Sequence, residues 1–153
     1  MAAFQRKSFS AVVSGGGGRQ VFVTERCLDT DFEVFTKLLH HEGSVDALEY
    51  GLYQRWLAHL QASATPLSAI VYVDTSPKEC AKRIAQRGRE GEEQIPLRYL
   101  AALDKQQREW IGRGEVPCLH AATDAVAAVQ VFIDGLSKGK VADTTRAPRP
   151  RGD

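Results

Sequence analysis

Three arginines, Arg83, Arg87 and Arg89, stand at the head of the stretch RIAQRGREGEEQIPLRYL, which runs from residue 83 to residue 100 through a glycine-bearing acidic loop. A guanidinium is a rigid fork of donors that matches phosphate oxygens and stays charged at any physiological pH, so three of them around one loop suit a cationic lid over phosphate groups. Arg83 and Arg87 are four residues apart and share one face of a helix, and Gly88 lets the chain leave that helix so that Arg89 turns inward. The competing reading is an ordinary solvated loop in which Glu90, Glu92 and Glu93 pair with the arginines. A second charged group, Glu25-Arg26, closes a short apolar strand that begins near Phe22. The C-terminal end of such a strand is where α/β sheets bind ligands.

The elements that must carry these groups alternate along the chain. Thr30-x-x-Glu33 caps a helix to about His41, and Gly43-Ser44 starts another to about Gln61 with Val45, Leu48, Leu52, Trp56 and Leu60 on one apolar face. Residues 68–74, SAIVYVD, form a nearly continuous apolar strand of the kind buried on both faces. Ser76-Pro77-Lys78-Glu79 is a capping box with proline at the first helical position, and the lid helix begins there. A helix from Pro96 to about Ile111, a strand from Val116 to His120 and a helix from about Asp124 to Leu136 complete the pattern. Strands alternating with helices predict an α/β fold, a parallel sheet flanked by helices. The Trp and Tyr residues fall at helical spacing as core, and the adjacent His40 and His41 cannot both face one metal.

Composition sets outer bounds. The chain has 153 residues, 43% hydrophobic and 25% charged, enough for one core, and its net charge of +1 gives no basis for nucleic acid as a partner. No apolar run reaches the about 18 residues of a membrane span. Cys27, Cys80 and Cys118 are widely spaced and odd in number, which favours buried thiols in a reducing compartment over a disulfide framework. Residues 1–24 hold Arg6, Lys7, Arg19 and several serines without an acid, as transit peptides do. The competing reading makes Phe4-Gln5 the tail of a helix. The chain therefore divides into residues 1–18, a helix remnant or transit-like segment ending in the SGGGG connector; 19–137, the folded domain; and 138–153, a Lys-, Arg- and Pro-rich tail with little to bury. The closing Arg151-Gly152-Asp153 tripeptide reads as chance. The glycine run is no phosphate loop, because G-x-x-x-x-G-K-[ST] must lie between a strand and a helix, and here Gly18 leads through Arg19-Gln20 into a strand.

Two long motifs in order resemble the deoxyribonucleoside kinase family, enzymes that phosphorylate the 5′-hydroxyl of deoxynucleosides. The first is the family's Glu-Arg-Ser signature with its following Asp and aromatic, here Glu25, Arg26, Cys27, Asp31 and Phe35. The second is the arginine-rich lid and its helix start, here Arg87-Gly88-Arg89 and then Ile95-Pro96-Leu97-Arg98-Tyr99-Leu100; Tyr53-Gln54-Arg55-Trp56 between them resembles the family's Tyr-Gln-x-Trp helix. The resemblance covers roughly residues 20 to 120. It implies a P-loop-kinase-like parallel sheet whose first strand and phosphate loop, with a general-base Glu, would lie upstream of Met1, so that the chain is N-terminally truncated.

It also implies roles. Arg26 would hold the 5′-oxygen region and the incoming phosphate, and Glu25 would organise Mg²⁺ through water. Gln5 and Asp31 would read the base, Phe35 would stack on it, and Glu92, or Glu93 beside it, would accept a hydrogen bond from the sugar 3′-hydroxyl. Arg83, Arg87 and Arg89 would clamp the triphosphate of ATP, Arg83 nearest the adenine. Cys27 in place of the signature's Ser is a weaker donor, and residues 119–124, LHAATD, keep little of the family's adenine-contacting loop. The implied partners are a deoxyribonucleoside, a nucleoside triphosphate and a second copy of the chain, the apolar stripe of the Val45 to Leu60 helix fitting such a dimer and intramolecular packing equally well; the implied compartment is cytoplasmic or mitochondrial. Without a phosphate loop the chain is expected to be inactive or incomplete as it stands. The alternative is a non-catalytic relative that keeps the fold as a binding or assembly module, and a nucleoside monophosphate kinase is the weaker third reading.

Overall fold

The computed structural model describes residues 11–14, 20–92, 94–122 and 125–137. Its strands are β1 (Ala11–Ser14), β2 (Gln20–Val23), β3 (Ile70–Val73) and β4 (Cys118–Ala121). Between β2 and β3 lie α1 (Leu28–Thr30), a π-helical turn (Asp31–Thr36), α2 (Lys37–His41) and α3 (Ala47–Ser63). Helices α4 (Pro77–Arg87) and α5 (Leu97–Gly112) link β3 to β4, and α6 (Val126–Ser137) follows β4.

The apolar run read as a strand buried on both faces is β3, but only its Tyr72 face is buried, Val71 and Val73 being exposed; it pairs in parallel with β4, Ile70 opposite Cys118 and Val73 opposite Ala121. Parallel neighbours need a long crossover, and α4 and α5 provide it. The α/β expectation holds in this pair and its flanking helices. Residues 11–14 differ: they form a strand antiparallel to β2, Ala11 opposite Val23 and Ser14 opposite Gln20. Ser14 thus belongs to a strand and not to the glycine connector. The helix-remnant and transit readings of the first ten residues, and Gln5 with them, lie outside the described residues, as do the glycine run and the tail.

Side chains packed between these elements make the core: Val34, Leu38, Leu57, Tyr72, Trp110, Ala121, Phe132 and Ile133 are buried. Trp110 meets the expectation of an aromatic core, whereas Trp56 does not. Helix α3 turns the predicted apolar stripe outward, with Leu48, Leu52, Trp56 and Leu60 all exposed. Its inner face is instead Tyr50, Tyr53 and Leu57, because the two tyrosine rings stack on Phe32 of the π-helical turn at 5.8 and 6.1 Å between centroids. Flat rings at close range outcompete an aliphatic stripe for that surface. The start of α3 also moves: Asp46 caps it, accepting from the Glu49 N–H at 2.8 Å while the Glu49 carboxylate accepts from the Asp46 N–H at 2.9 Å.

Half of the predicted capping box is present, the Ser76 hydroxyl accepting from the Glu79 N–H at 3.3 Å with Pro77 opening α4, while the Glu79 carboxylate pairs with Arg83 at 3.0 Å. Gly88 closes α4 in the left-handed region, φ 58°, where glycine pays no steric penalty. Thr30 caps nothing with its side chain, and the helix it was expected to start begins at Leu28. Among the described residues no helix is long and apolar enough to cross a membrane.

One cluster ties α5 to β3. The Arg108 guanidinium donates to both oxygens of Asp104, at 3.0 and 2.9 Å, and to Asp74 just beyond β3 at 2.7 Å. It also lies over the Tyr72 ring, 5.5 Å from its centroid, and the Tyr72 hydroxyl donates to Asp104 at 2.9 Å. Burial, and then the Asp104 carboxylate, push the Tyr72 phenol well above its usual range. The hydrogen bond to Asp104, joined by that to Asp74, raises the guanidinium further still. Removing Arg108 would leave two carboxylates side by side. Arg108→Met is therefore expected to cost about 1–3 kcal/mol, the value of hydrogen bonds to charged groups, read as a lowered urea midpoint; an unchanged midpoint would show the cluster to be inert.

Candidate functional site

Asp31 and Phe35 sit four residues apart on a turn wound more loosely than an α-helix. The Lys37 N–H reaches back five residues to the Phe32 carbonyl, and the Thr36 hydroxyl, buried, donates to the Asp31 carbonyl at 2.9 Å, again five residues back. Such i→i+5 turns are rare and concentrate at functional sites. Contacts from outside hold this one. Gln106 of α5 donates from its amide to the Glu33 carbonyl at 3.0 Å. The Glu33 carboxylate accepts from Lys37 and from Arg113, each at 2.6 Å. Burial works against the Glu33 charge, but these two cations outweigh it and hold the carboxyl below its ordinary range.

Glu25 and Arg26 do not end β2 itself: the strand stops at Val23, and the pair stands in the turn that leads into α1. Arg26 has φ 64°, the left-handed region that non-glycine residues rarely adopt, and the Thr24 hydroxyl pins it by donating to the Arg26 carbonyl at 3.0 Å. Strain of this kind costs on the order of 1–3 kcal/mol and persists where the surroundings enforce it. The turn carries the guanidinium over the Phe35 ring, 4.5 Å from its centroid. Arg26, Asp31 and Phe35 thus gather around one helical turn. Glu25 is exposed and takes part in no ion pair among the described residues. The Cys27 thiol fills the signature's Ser position, 3.4 Å from the Thr30 hydroxyl and 3.7 Å from an Asp29 carboxylate oxygen.

The lid arginines form a second group. Arg87 donates from Nε to Glu92 at 3.1 Å and also from Nη2, and Arg89 pairs with the same carboxylate at 3.7 Å. Arg83 pairs one turn back, with Glu79 at 3.0 Å. Gly91, φ 84°, and Gly88 bracket the loop and give it its sharp reversal. Arg87 and Arg89 thus meet on Glu92, one of the acids of the solvated-loop reading, while Arg83 is held apart from them by Glu79. Exposed pairs of this sort are worth about 0–1 kcal/mol, so a polyanion can displace Glu92 at little cost. Glu93 lies outside the described residues.

Helix α5 packs against both groups, against α4 on the lid side and the π-helical turn on the other. Gln106 of α5 and Arg113, which caps its end, reach the turn and went unread in the sequence. They stand seven apart, one face of a helix, but both are polar residues in a polar helix, and nothing local marks their partner 73 or 80 residues away. The Asp104-Arg108 spacing does carry a local signal, an i,i+4 pair; its third member, Asp74, does not. Among the described residues no three His, Cys, Asp or Glu side chains cluster to hold a metal.

The deoxynucleoside kinase family model matches residues 3–138. Over 90 residues the chain is 34% identical to deoxycytidine kinase 2 of Gallus gallus, a match covering 57% of this chain and 34% of that protein. It is 30% identical over 97 residues to the mitochondrial thymidine kinase 2 of Homo sapiens, covering 63% and 37% of the two chains. With the mitochondrial deoxyguanosine kinase of Xenopus laevis the identity is 30% over 94 residues, covering 60% and 36%. The chain spans roughly a third of the length of these curated relatives.

The Glu33 carboxyl titrates below 4.5 in the folded chain, so its ion pairs stabilise the fold fully above that pH and are lost as pH falls through the lower folded value. Glu33→Gln is expected to lower stability at pH 7 and to flatten the loss of stability below pH 4.5, measured by urea unfolding across the acid range. An acid limb identical to that of the unmodified chain would remove Glu33 from the account.

Proposed function

This chain belongs to the deoxynucleoside kinase family, and from that premise we propose that it carries the nucleoside pocket and lid of an enzyme that transfers the terminal phosphate of ATP to the 5′-hydroxyl of a deoxyribonucleoside. The observation that carries the proposal is the placement of Asp31 and Phe35 on one π-helical turn with the Arg26 guanidinium, from the turn before α1, 4.5 Å from the Phe35 ring centroid. A base stacked on Phe35 leaves its edge to Asp31 and its sugar to Arg26, which then lies at the 5′-oxygen. Arg83, Arg87 and Arg89 close over the triphosphate, and Glu92, released from Arg87 and Arg89, accepts from the 3′-hydroxyl. Gln5 completes the base contacts.

Magnesium brought in with the triphosphate supplies charge neutralisation at the phosphate oxygens. Glu25, an exposed oxygen donor free of ion pairs among the described residues, suits a water-mediated hold on such a hard cation, which takes one or two carboxylates and no all-protein cage. The compartment proposed is cytoplasmic or mitochondrial, two of the relatives being mitochondrial proteins. A non-catalytic binding module is the second reading, favoured by one observation: Cys27, a weaker hydrogen-bond donor, stands where the signature has Ser.

The exposed stripe of Leu48, Leu52 and Trp56 supports a homodimer in which α3 packs against its copy. Trp56→Glu should then shift the sedimentation coefficient from dimer to monomer with the helical circular dichroism unchanged; a monomeric unmodified chain at micromolar concentration would end the dimer proposal.

Calorimetric titration of residues 1–153 with each of the four deoxynucleosides tests the main reading. Binding of at least one is expected, and Phe35→Ala should weaken it about tenfold or more, a base–aromatic stack being worth about 1–3 kcal/mol. No binding by the unmodified chain, or full binding by Phe35→Ala, would defeat the pocket assignment. The same chain alone is expected to show only background ATP consumption when a deoxynucleoside is added, and clear turnover would refute the non-catalytic alternative.

A further inference from the structure

We infer that Gln106 is a positioning residue for the nucleoside end of the site, because its amide holds the winding that sets Arg26 over Phe35. The inference rests on the kinase reading given above. A π-helical turn inserted between two α-helical stretches, α1 and α2, is a less favourable winding than the α-helix on either side, and something outside the helix must favour it. Three contacts bear on it. The Thr36 hydroxyl satisfies the Asp31 carbonyl from within the turn, at 2.9 Å. Lys37 and Arg113 grip the Glu33 carboxylate, a side-chain contact that an α-turn could keep by a change of rotamer. Gln106 alone among the described residues reaches from another element to a main-chain carbonyl of the turn, that of Glu33, at 3.0 Å.

The consequence of losing that contact follows from helical geometry. Helix α2 is anchored by the buried Leu38 and by His40, which stacks on Tyr50 at 4.2 Å and hydrogen-bonds the Val45 carbonyl at 2.9 Å. If the turn tightened to an α-helix, the register would shift by one residue against that anchor. The segment before the turn would then rotate by up to about 100° relative to α2, one residue's step around an α-helix. Asp31 and Phe35, four residues apart, share a face in either winding, but Arg26, seated over Phe35 at 4.5 Å, would be carried off the ring with the segment that bears it. The lid arginines, held on α4 and its loop, would stay where they are.

The test uses Gln106→Met, which keeps length without a donor, and Gln106→Lys, which restores a donor of similar reach. Each full-length variant is titrated with the deoxynucleoside that the unmodified chain binds best and, separately, with ATP and Mg²⁺. Amide exchange at Lys37, whose N–H makes the i→i+5 bond, is followed by NMR without ligand. Gln106→Met should bind the deoxynucleoside about tenfold more weakly, the loss expected of one polar contact, with ATP affinity unchanged and Lys37 exchange accelerated. Gln106→Lys should recover both. Equal losses for nucleoside and ATP would mean a general structural role and overturn the inference. So would a Lys37 amide as protected in Gln106→Met as in the unmodified chain, or a failure of Gln106→Lys to restore binding. Absence of deoxynucleoside binding by the unmodified chain would count against the kinase reading instead, and the Lys37 exchange would still decide whether Gln106 holds the turn.

Discussion

Arg108 cannot satisfy its guanidinium without holding three other groups in place, and much of the structure follows from that requirement. Asp104 lies on its own helix, Asp74 at the end of β3, and Tyr72 under its flat face. The arrangement fixes the rotation of α5 as well as its distance from the sheet, because a planar fork has one orientation that serves two carboxylates at once. With α5 so oriented, Gln106 and Arg113 emerge on the side of the π-helical turn. The two groups of the candidate site, at the π-helical turn and at the loop after α4, are thus referred to one helix that the sheet itself anchors.

Strain and repair meet at the nucleoside end. Arg26 adopts a backbone conformation foreign to its residue type, and the turn that follows Thr30 winds against the usual preference. Neither is stable by local propensity, and each is held by a contact of its own, Thr24 for the first and Thr36 with Gln106 for the second. The lid works on another principle. Arg87 and Arg89 are held together by a single acid, Glu92, in weak, exposed ion pairs that can be released without breaking any buried structure.

The strand edges give the fold its second character. Among the described residues β3 is bordered by β4 on one side only and β2 by β1 on one side only, and a cleft of about 990 Å³ lies between the two sheets, bounded by Val21, Phe22 and Val23 on one wall and by Val71, Phe132 and Ile133 on the other. Phe22 and Val73 are exposed. Unpaired edges beside apolar side chains are the features that soluble sheets ordinarily cover. The burial behind β3 is sound, with Tyr72, Ala121 and Trp110 all inside, so the exposed face reflects where the sheets part and not a core left loose.

Much of the site could be read in the residues themselves. The Glu25-Arg26 to Phe35 spacing, the lid arginines, the Ser76-Pro77 start of α4 and the left-handed Gly88 are all short-range features, and each depends on chemistry within a few residues of itself. The α/β pattern was legible for the same reason, since the apolar run of β3 and the helices around it are continuous segments. What sequence could not decide was which face of an element meets a neighbour. The stripe of Leu48, Leu52 and Trp56 has helical spacing as good as that of Tyr50, Tyr53 and Leu57, and only the position of Phe32 selects the tyrosines. The strand at residues 11–14, the π-winding at residues 31–36 and the reach of Gln106 to Glu33 are likewise settled by partners distant in the chain. Local propensity and spacing fix what a segment is able to do; the free energy that chooses among those options comes from contacts that exist only once the chain has folded.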